Sequence, residues 1–224
     1  DAVSLDWGAV FAVLSVLSMT LGNLIAIRQD NIKRLLAYST VAHAGYLMMG
    51  LAAVAARTPD AQAVAGPSGV LFYLGGYAAT NLAAFSVIIA ISSRVGSDII
   101  DDFAGMARRA PFLAAVLALA MVSLIGLPPT VGFMSKIYLF GAVIDANLEW
   151  LVVAGVVNSV ISAYYYLRVL KVMYLSPPAS DEPVDSGTPI RIAIATSFAG
   201  IVFFGLYPTP LLNLAKTAAA VLVS

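Results

Sequence analysis

The feature that most limits how this chain can fold is a set of long apolar segments with almost no charged residues. Four of them have no Asp, Glu, Lys or Arg over roughly 20 residues, the length a helix needs to cross a hydrocarbon core. Backbone inside a bilayer must be hydrogen-bonded within the protein, and these segments are too long for the strands of a membrane barrel. The sequence therefore predicts an all-α, polytopic membrane helix bundle embedded in a lipid bilayer. We expect one transmembrane domain over 1–224, with six spans at approximately 7–29, 34–56, 70–94, 110–144, 149–173 and 190–216.

Composition excludes several classes of function. Charged residues make up 11% of the 224 residues, against about 25% in soluble domains. The 12 basic and 12 acidic residues cancel, so no overall charge favours nucleic acid as a partner. Without cysteine the chain has no disulfide, iron–sulfur ligation or thiol nucleophile, and it contains no phosphate-binding loop or metal-ligand cluster. We expect no cofactor in this chain and no self-contained enzyme.

The distribution of basic residues over alternate loops predicts the orientation. One side collects Arg28, Lys33, Arg34, Arg94, Arg108, Arg109, Arg168, Lys171 and Arg191, and the other has Arg57 and Lys216. An excess of Lys and Arg marks the cytoplasmic side, so we expect Asp1 and Ser224 both on the outer face. The chain begins at Asp1 without a methionine or a signal peptide, and we interpret it as a piece of a longer protein.

Lys136 is the strongest candidate for a functional residue. It lies within an apolar segment, where a lysine costs about 2.5 to 3.5 kcal/mol to insert, so an intramembrane lysine is a functional hypothesis by default. Just upstream, Pro128 and Pro129 lack the N–H groups that would bond the carbonyls of Leu124 and Ile125. We therefore predict a helix broken inside the membrane beside the amine, which is typical of an ion pathway. The alternative is a lysine that snorkels to the outer interface.

His43 is the second ionisable candidate in the predicted membrane interior. Histidine can accept and donate a proton near neutral pH, and Tyr38, Ser39 and Thr40 could supply hydroxyls that order water around it. An interhelical hydrogen bond without a proton-transfer role is an equally good interpretation. Two further groups of polar residues favour structural roles. Asn158, Ser159 and Ser162 are interpreted as helix-packing residues, and Tyr164, Tyr165 and Tyr166 as an interfacial aromatic anchor.

Two blocks of sequence resemble one known family. DNIKRLLAYSTVAHAGY, from Asp30 to Tyr46, closely resembles the start of the tenth helix in antiporter-like subunits of respiratory complex I. GLPPTVGFMSK, from Gly126 through Gly132 to Lys136, is similar to that family's broken twelfth helix with its proton-channel lysine. Subunit M typically has glutamate there, so the lysine favours the subunit N branch of NADH-quinone oxidoreductase, the counterpart of mitochondrial subunit 2.

The resemblance implies a function for the fragment. The chain would be helices nine to fourteen, the C-terminal half, of a proton-translocating subunit in the bacterial inner membrane. Lys136 and His43 would relay protons, supported by Tyr38, Ser39, Thr40, Pro128, Pro129 and Gly132. Electron transfer from NADH to quinone would occur in other subunits, which would hold NAD, FMN, iron–sulfur clusters and quinone. The other membrane-arm subunits would be its partners.

Two alternatives stay open. A subunit of a multi-subunit sodium/proton antiporter or a membrane-bound hydrogenase would share the His43 and Lys136 blocks. A non-transporting assembly scaffold would keep the helix break as a packing kink and Lys136 as a snorkelling residue.

Overall fold

The computed structural model describes residues 6–56, 65–178, 182–184 and 187–223. Its helices are α1 (Trp7–Ile27), α2 (Ile32–Ala55), α3 (Ala65–Val95), α4 (Met106–Arg109), α5 (Pro111–Ile125), α6 (Val131–Ile144), α7 (Glu149–Leu175), α8 (Thr188–Leu206) and α9 (Thr209–Val223), with a 3-10 turn at Ile100–Phe103. Over these ranges, β pairing is limited to an isolated bridge between Asn31 and Ile99. The predicted all-α membrane bundle is confirmed. Part of the predicted membrane orientation depends on residues outside the described ranges, namely Asp1, Arg57 and Ser224.

The described helices divide into long and short apolar elements. α1, α2, α3 and α7 are each long and apolar enough to cross a membrane, and α8 with α9 passes the same test as a bent pair. α5 and α6 are shorter apolar helices of 15 and 14 residues. The count of six spans requires α5 and α6 to cross together as one broken span, and it stays a prediction.

The last predicted span, 190–216, is not one straight helix. Its two parts, Ile190–Leu206 and Thr209–Val221, meet at an angle of 86°. Pro208 lies in the break and Pro210 follows in the first turn of α9. Because neither proline can donate a helical hydrogen bond, the backbone cannot continue straight through them. The span predicted at approximately 190–216 is therefore bent, a feature that its apolar composition did not predict.

Polar side chains fix the turn between α1 and α2. The side chain of Asn31 accepts hydrogen bonds from the N–H groups of Lys33 and Arg34, both at 3.0 Å, and so caps α2. Lys33 Nζ lies 2.7 Å from Asp98 Oδ1, in the loop after α3. The hydrogen bond from Lys33 lowers the pKa of Asp98 below its ordinary value. This end of the bundle, which also carries Asp30 and Arg168, is called the basic end below.

Glycines bring α1 and α2 into backbone contact. A Cβ atom on Gly22 would lie 2.6 Å from the Ala42 nitrogen, and one on Gly45 would lie 2.7 Å from the Met19 nitrogen. Small residues at such points allow close helix packing, which drives helix association in lipid. α3 packs against α2, α5, α6, α8 and α9 and so lies at the centre of the bundle. Helices α2, α3, α6 and α7 surround the residues that carry the candidate site.

Candidate proton-relay site

Lys136 lies inside the bundle and is hydrogen-bonded at its amine. Its side chain is 7% exposed. Nζ donates to the carbonyl oxygen of Ile125 at 2.6 Å and to Ser159 Oγ at 2.8 Å. It also lies 4.9 Å from the centre of the Tyr46 ring, within the range of a cation–π contact. The amine therefore points inward to polar partners, unlike a snorkelling lysine.

The helix break supplies one of these partners. α5 ends at Ile125, Gly126 adopts a left-handed conformation with φ of 89°, and α6 begins at Val131. Pro129 has no N–H to offer the Ile125 carbonyl, which instead accepts the lysine amine. The lysine side chain packs against Gly126, since a Cβ there would lie 2.7 Å from Lys136 Cδ, and the left-handed conformation favours glycine at this position. Sequence reasoning placed both the break and the freed carbonyl correctly.

His43 lies among aromatic side chains of α3. Its Nδ1 is 2.7 Å from the Tyr73 hydroxyl, and its ring stacks on Tyr77 with ring centres 4.6 Å apart. The imidazole is 6% exposed. A histidine with a hydroxyl partner in such a place can accept or donate a proton through that partner.

A small polar cavity joins His43 to Lys136. Its volume is about 10 Å³, the space that one water molecule needs. The residues that line it are His43, Tyr73, Tyr77, Thr80, Ser123, Leu124, Gly132, Ser135 and Lys136. Several hydroxyls could therefore hold a water between the imidazole and the amine, and a proton could pass through it.

The structure places the predicted supporting hydroxyls elsewhere. Ser39 hydrogen-bonds to the Tyr166 hydroxyl. Thr40 Oγ1 donates to the Leu36 carbonyl at 2.9 Å and accepts from the Tyr77 hydroxyl at 2.8 Å. Tyr38 is half-buried against the apolar core. The hydroxyls beside His43 thus come from α3, and Thr40 reaches the histidine only through Tyr77.

Gly132 and the two prolines shape the break. A Cβ on Gly132 would lie 1.8 Å from the Ser123 carbonyl oxygen, and the Gly132 N–H donates to Ser123 Oγ at 3.2 Å. The glycine lets the first turn of α6 touch the last turns of α5. Pro128 and Pro129 lie in the connection between these turns. The two prolines therefore shape the backbone around Lys136.

Sequence reasoning missed the residues that complete the Lys136 environment. Ser159, interpreted as a packing residue, accepts the lysine amine and also bonds to the Tyr46 hydroxyl at 2.8 Å. The Tyr46 hydroxyl reaches the Gly155 carbonyl at 2.8 Å. The four-residue spacing of Gly155 and Ser159 on α7 was the available signal for a small, polar helix face.

Two other interpretations of α7 have different outcomes. Asn158 does pack helices together, because its side-chain oxygen accepts from Asn23 Nδ2 at 3.0 Å. The aromatic anchor was wrong for two of its three residues. Tyr165 and Tyr166 are 1% and 0% exposed, whereas Tyr164 is 64% exposed. Consecutive residues of a helix point in different directions, so three neighbouring tyrosines cannot all face the outside of the bundle.

In the part of the chain that the structure describes, His, Asp and Glu side chains do not form a group of three or more that could hold a metal ion. The chemistry available at the site is proton exchange between an amine, an imidazole and hydroxyls.

The fold and the site define a polytopic helical membrane protein with a buried amine set against a break in its own helix. Residues 2–162 match the family described as NADH:quinone oxidoreductase/Mrp antiporter, TM. The chain belongs to this family, which confirms the resemblance predicted from the Asp30–Tyr46 and Gly126–Lys136 blocks.

Individual relatives agree with this membership. NADH-quinone oxidoreductase subunit N of Dehalococcoides mccartyi is 43% identical over 222 residues, covering 99% of this chain and 45% of the relative. The Heliobacterium modesticaldum subunit N is 42% identical, covering 96% of this chain and 44% of the relative. The chain thus spans less than half the length of the curated relatives it matches.

Solved structures show the same arrangement of helices. A chain of Thermus thermophilus respiratory complex I matches with a TM-score of 0.75 and 31% identity, over 92% of this chain and 45% of that one. A chain of an archaeal membrane-bound sulfane sulfur reductase matches with a TM-score of 0.85 and 26% identity, over 97% and 42%. A chain of the Mrp complex from Dietzia sp. matches with a TM-score of 0.82 at 23% identity, over 95% and 47%, and this likeness concerns the fold alone.

Proposed function

We propose that this chain is the C-terminal half of a subunit N-type, proton-translocating membrane subunit of NADH:quinone oxidoreductase. The observation that carries the proposal is the Lys136 amine, buried beside a helix break and hydrogen-bonded to Ile125 and Ser159. Relatives that are 42% to 43% identical and named subunit N support this assignment. NAD, FMN, iron–sulfur clusters and quinone would belong to partner subunits, and neighbouring membrane-arm subunits would flank this chain.

The proposed relay uses the proton exchange that the site allows. Lys136 holds a proton while its amine is charged and releases it when a charge change in the neighbouring complex disfavours the charged form. The cavity toward His43 gives that proton a one-water connection to the imidazole. Electron transfer elsewhere would supply the energy. We also propose a bacterial inner-membrane location with the basic end in the cytoplasm and both fragment ends outside.

Sodium/proton antiport is the closest alternative, because the Mrp chain shares the fold. An antiporter exchanges sodium for protons, whereas the proposed subunit translocates protons alone. Ion transport by membrane vesicles that contain the complete complex therefore distinguishes the two functions. NADH-driven proton uptake should be the same in sodium-free and sodium-containing buffer if protons alone are translocated. Proton uptake that requires sodium would favour the sodium/proton antiporter function.

Replacing His43 by leucine tests the relay directly. The change removes the imidazole and puts an apolar side chain of similar size in its place, so we expect NADH-driven proton uptake by vesicles to fall by more than half. The expected cause is loss of the proton acceptor that faces Tyr73 at 2.7 Å. Proton uptake should be measured with a pH-sensitive dye and normalised to the NADH:quinone rate.

The matched control for His43 is Val41→Leu, two residues earlier on the same helix. Val41 is 43% exposed and lies on the outer surface of the bundle. This variant should translocate protons normally. Unchanged proton uptake in His43→Leu would remove the histidine from the relay and leave its hydrogen bond to Tyr73 as a packing contact.

A further inference from the structure

Two helix breaks of the bundle lie against each other. The first separates α5 from α6, and residues 126–130, which join these two helices, are called the α5–α6 connection below. The second lies between α8, which ends at Leu206, and α9, which begins at Thr209. Gly205, the next-to-last residue of α8, packs against the α5–α6 connection. The end of α8 thus contacts the turn that forms one side of the Lys136 site.

The contact at Gly205 is between backbones. A Cβ at Gly205 would lie 2.6 Å from the Thr130 carbonyl carbon, 2.7 Å from the Thr130 Cα, and closer still to the Pro129 carbonyl oxygen. These backbone atoms cannot rotate away, so a residue without a side chain is needed for this approach. The requirement is specific to this position, because a Cβ at Gly200 of the same helix would meet the Ala79 Cβ at 4.0 Å, an ordinary contact.

The α5–α6 connection is open to the outside of the bundle over much of its length. Leu127 is 45% exposed, and Pro128 and Pro129 are exposed as well. Thr130, which Gly205 approaches, is 0% exposed. α8 therefore covers the connection at its last residue, directly before α6 begins.

Packing on both sides of its bend holds α8 in place. Ile194 and Ile201 are each 0% exposed and belong to the apolar core, where α8 packs against α3, α5 and α6. Beyond the bend, Leu211 of α9 lies next to Gly75 of α3, where a Cβ would be 3.3 Å from Leu211 Cδ1. Because α8 is fixed before the bend and α9 after it, Gly205 has a defined position against the connection.

We propose that Gly205 is a positioning residue for Lys136. The α5–α6 connection follows Ile125, whose carbonyl oxygen accepts the Lys136 amine at 2.6 Å, and leads into α6, which carries the lysine. A side chain at position 205 would push the connection and the first turn of α6 away from α8. The amine would then lose its alignment with Ile125 and with Ser159, which accepts it at 2.8 Å. The inference rests on the proposed function, because it concerns the same amine.

Two glycines of α8 allow a matched test in the complete complex. Gly205→Ala introduces a methyl group at the contact, whereas Gly200→Ala introduces the same group five residues earlier without a clash. The measurement is the number of protons taken up per NADH oxidised in membrane vesicles. A misplacement of about 1 Å can cost about 10²-fold in rate, so we expect Gly205→Ala to lower this ratio by more than half. Gly200→Ala should leave the ratio unchanged.

A contact that only stabilises the fold would lower the amount of assembled complex without changing the ratio. Hydrogen exchange followed by mass spectrometry reports on the connection itself. The Thr130 N–H donates to the Leu127 carbonyl at 3.3 Å, and the Gly132 N–H donates to Ser123 Oγ at 3.2 Å. Exchange over residues 126–132 should be faster in purified Gly205→Ala complex than in the unmodified complex, because local opening becomes easier. Exchange over α7 should be unchanged.

A milder variant covers the case in which Gly205→Ala does not assemble. Ile201 lies one turn before Gly205 on the same face of α8, and Ile201→Val removes one methylene group from this buried face. This variant should also speed exchange over residues 126–132 and lower the ratio, to a smaller extent.

The outcomes separate this inference from the proposed function. A normal ratio in the assembled variants, with or without faster exchange, together with lost pumping in Lys136→Met, would overturn the positioning role and leave the proposed function intact. Retained pumping in Lys136→Met would overturn both.

Discussion

Replacing Lys136 by methionine in the complete complex is expected to lower NADH-driven proton uptake by about tenfold or more, because groups that transfer protons in protein sites commonly contribute about 10²–10⁴-fold. Methionine has a similar length but cannot hold a proton. The site therefore keeps its shape while the Nζ contacts to Ile125 and Ser159 disappear. The measurement is the initial rate of proton uptake by vesicles.

Stability must be separated from proton transfer in this variant. The Ile125 carbonyl loses its donor, which costs about 1–3 kcal/mol when a buried acceptor is left unpaired. The amount of assembled complex should therefore be followed by native electrophoresis and by NADH oxidation with an artificial acceptor. Lys171→Met is the matched control, because Lys171 is an exposed residue of the same helix as Ser159. If Lys136→Met is assembled and pumps normally, the chain is a scaffold and not a relay.

The Lys136 site shows which features the sequence could predict. A lysine in an apolar segment is costly in lipid, and a Pro-Pro pair removes backbone hydrogen-bond donors. Both effects can be predicted from the neighbouring residues without knowing how the helices pack. The break between Ile125 and Val131 and the freed Ile125 carbonyl follow from these residues alone. Local chemistry was sufficient for this part of the site.

The partners of His43 could not be predicted in the same way. Tyr73 and Tyr77 lie on α3, 30 and 34 residues after His43 in the sequence. Only the packing of α2 on α3 brings them to the imidazole. Hydrophobic periodicity is weak in a membrane helix, because both the lipid-facing and the interior surfaces are apolar. The same ambiguity explains why Tyr165 and Tyr166 were interpreted as interfacial, although they are buried.

The bend between α8 and α9 was missed for a different reason. The segment was judged by its length and lack of charge, and Pro208 and Pro210 were included in an apolar count. Proline cannot donate a helical hydrogen bond, and this rule, which predicted the break before Lys136, applies to Pro208 and Pro210 as well. A hydropathy criterion identifies a segment that prefers lipid, but it does not establish that the segment is one straight helix.

The second large effect is expected for Gly132→Ala, which introduces one methyl group where α5 and α6 meet. The new Cβ would lie 1.8 Å from the Ser123 carbonyl oxygen and 2.7 Å from the Ser123 carbonyl carbon. Both are backbone atoms that cannot rotate away, so α6 must shift against α5 and carry Lys136 away from Ile125. Overpacking of this kind typically costs about 1–3 kcal/mol, and backbone contact favours the upper part of that range. The amount of assembled complex and its thermal stability should both fall.

Gly141→Ala provides the matched control on the same helix. A Cβ at Gly141 would meet nothing within 4 Å, so this variant changes helix propensity without a clash. Because alanine is more favourable than glycine in a helix interior by about 0.8–1.0 kcal/mol, its thermal stability should be unchanged or slightly higher. The two substitutions are chemically identical and nine residues apart, so opposite effects would locate the requirement for glycine at the α5–α6 contact. Equal stability of both variants would mean that the break tolerates a side chain at 132, and that Lys136 is not held in place by the close approach of the two helices.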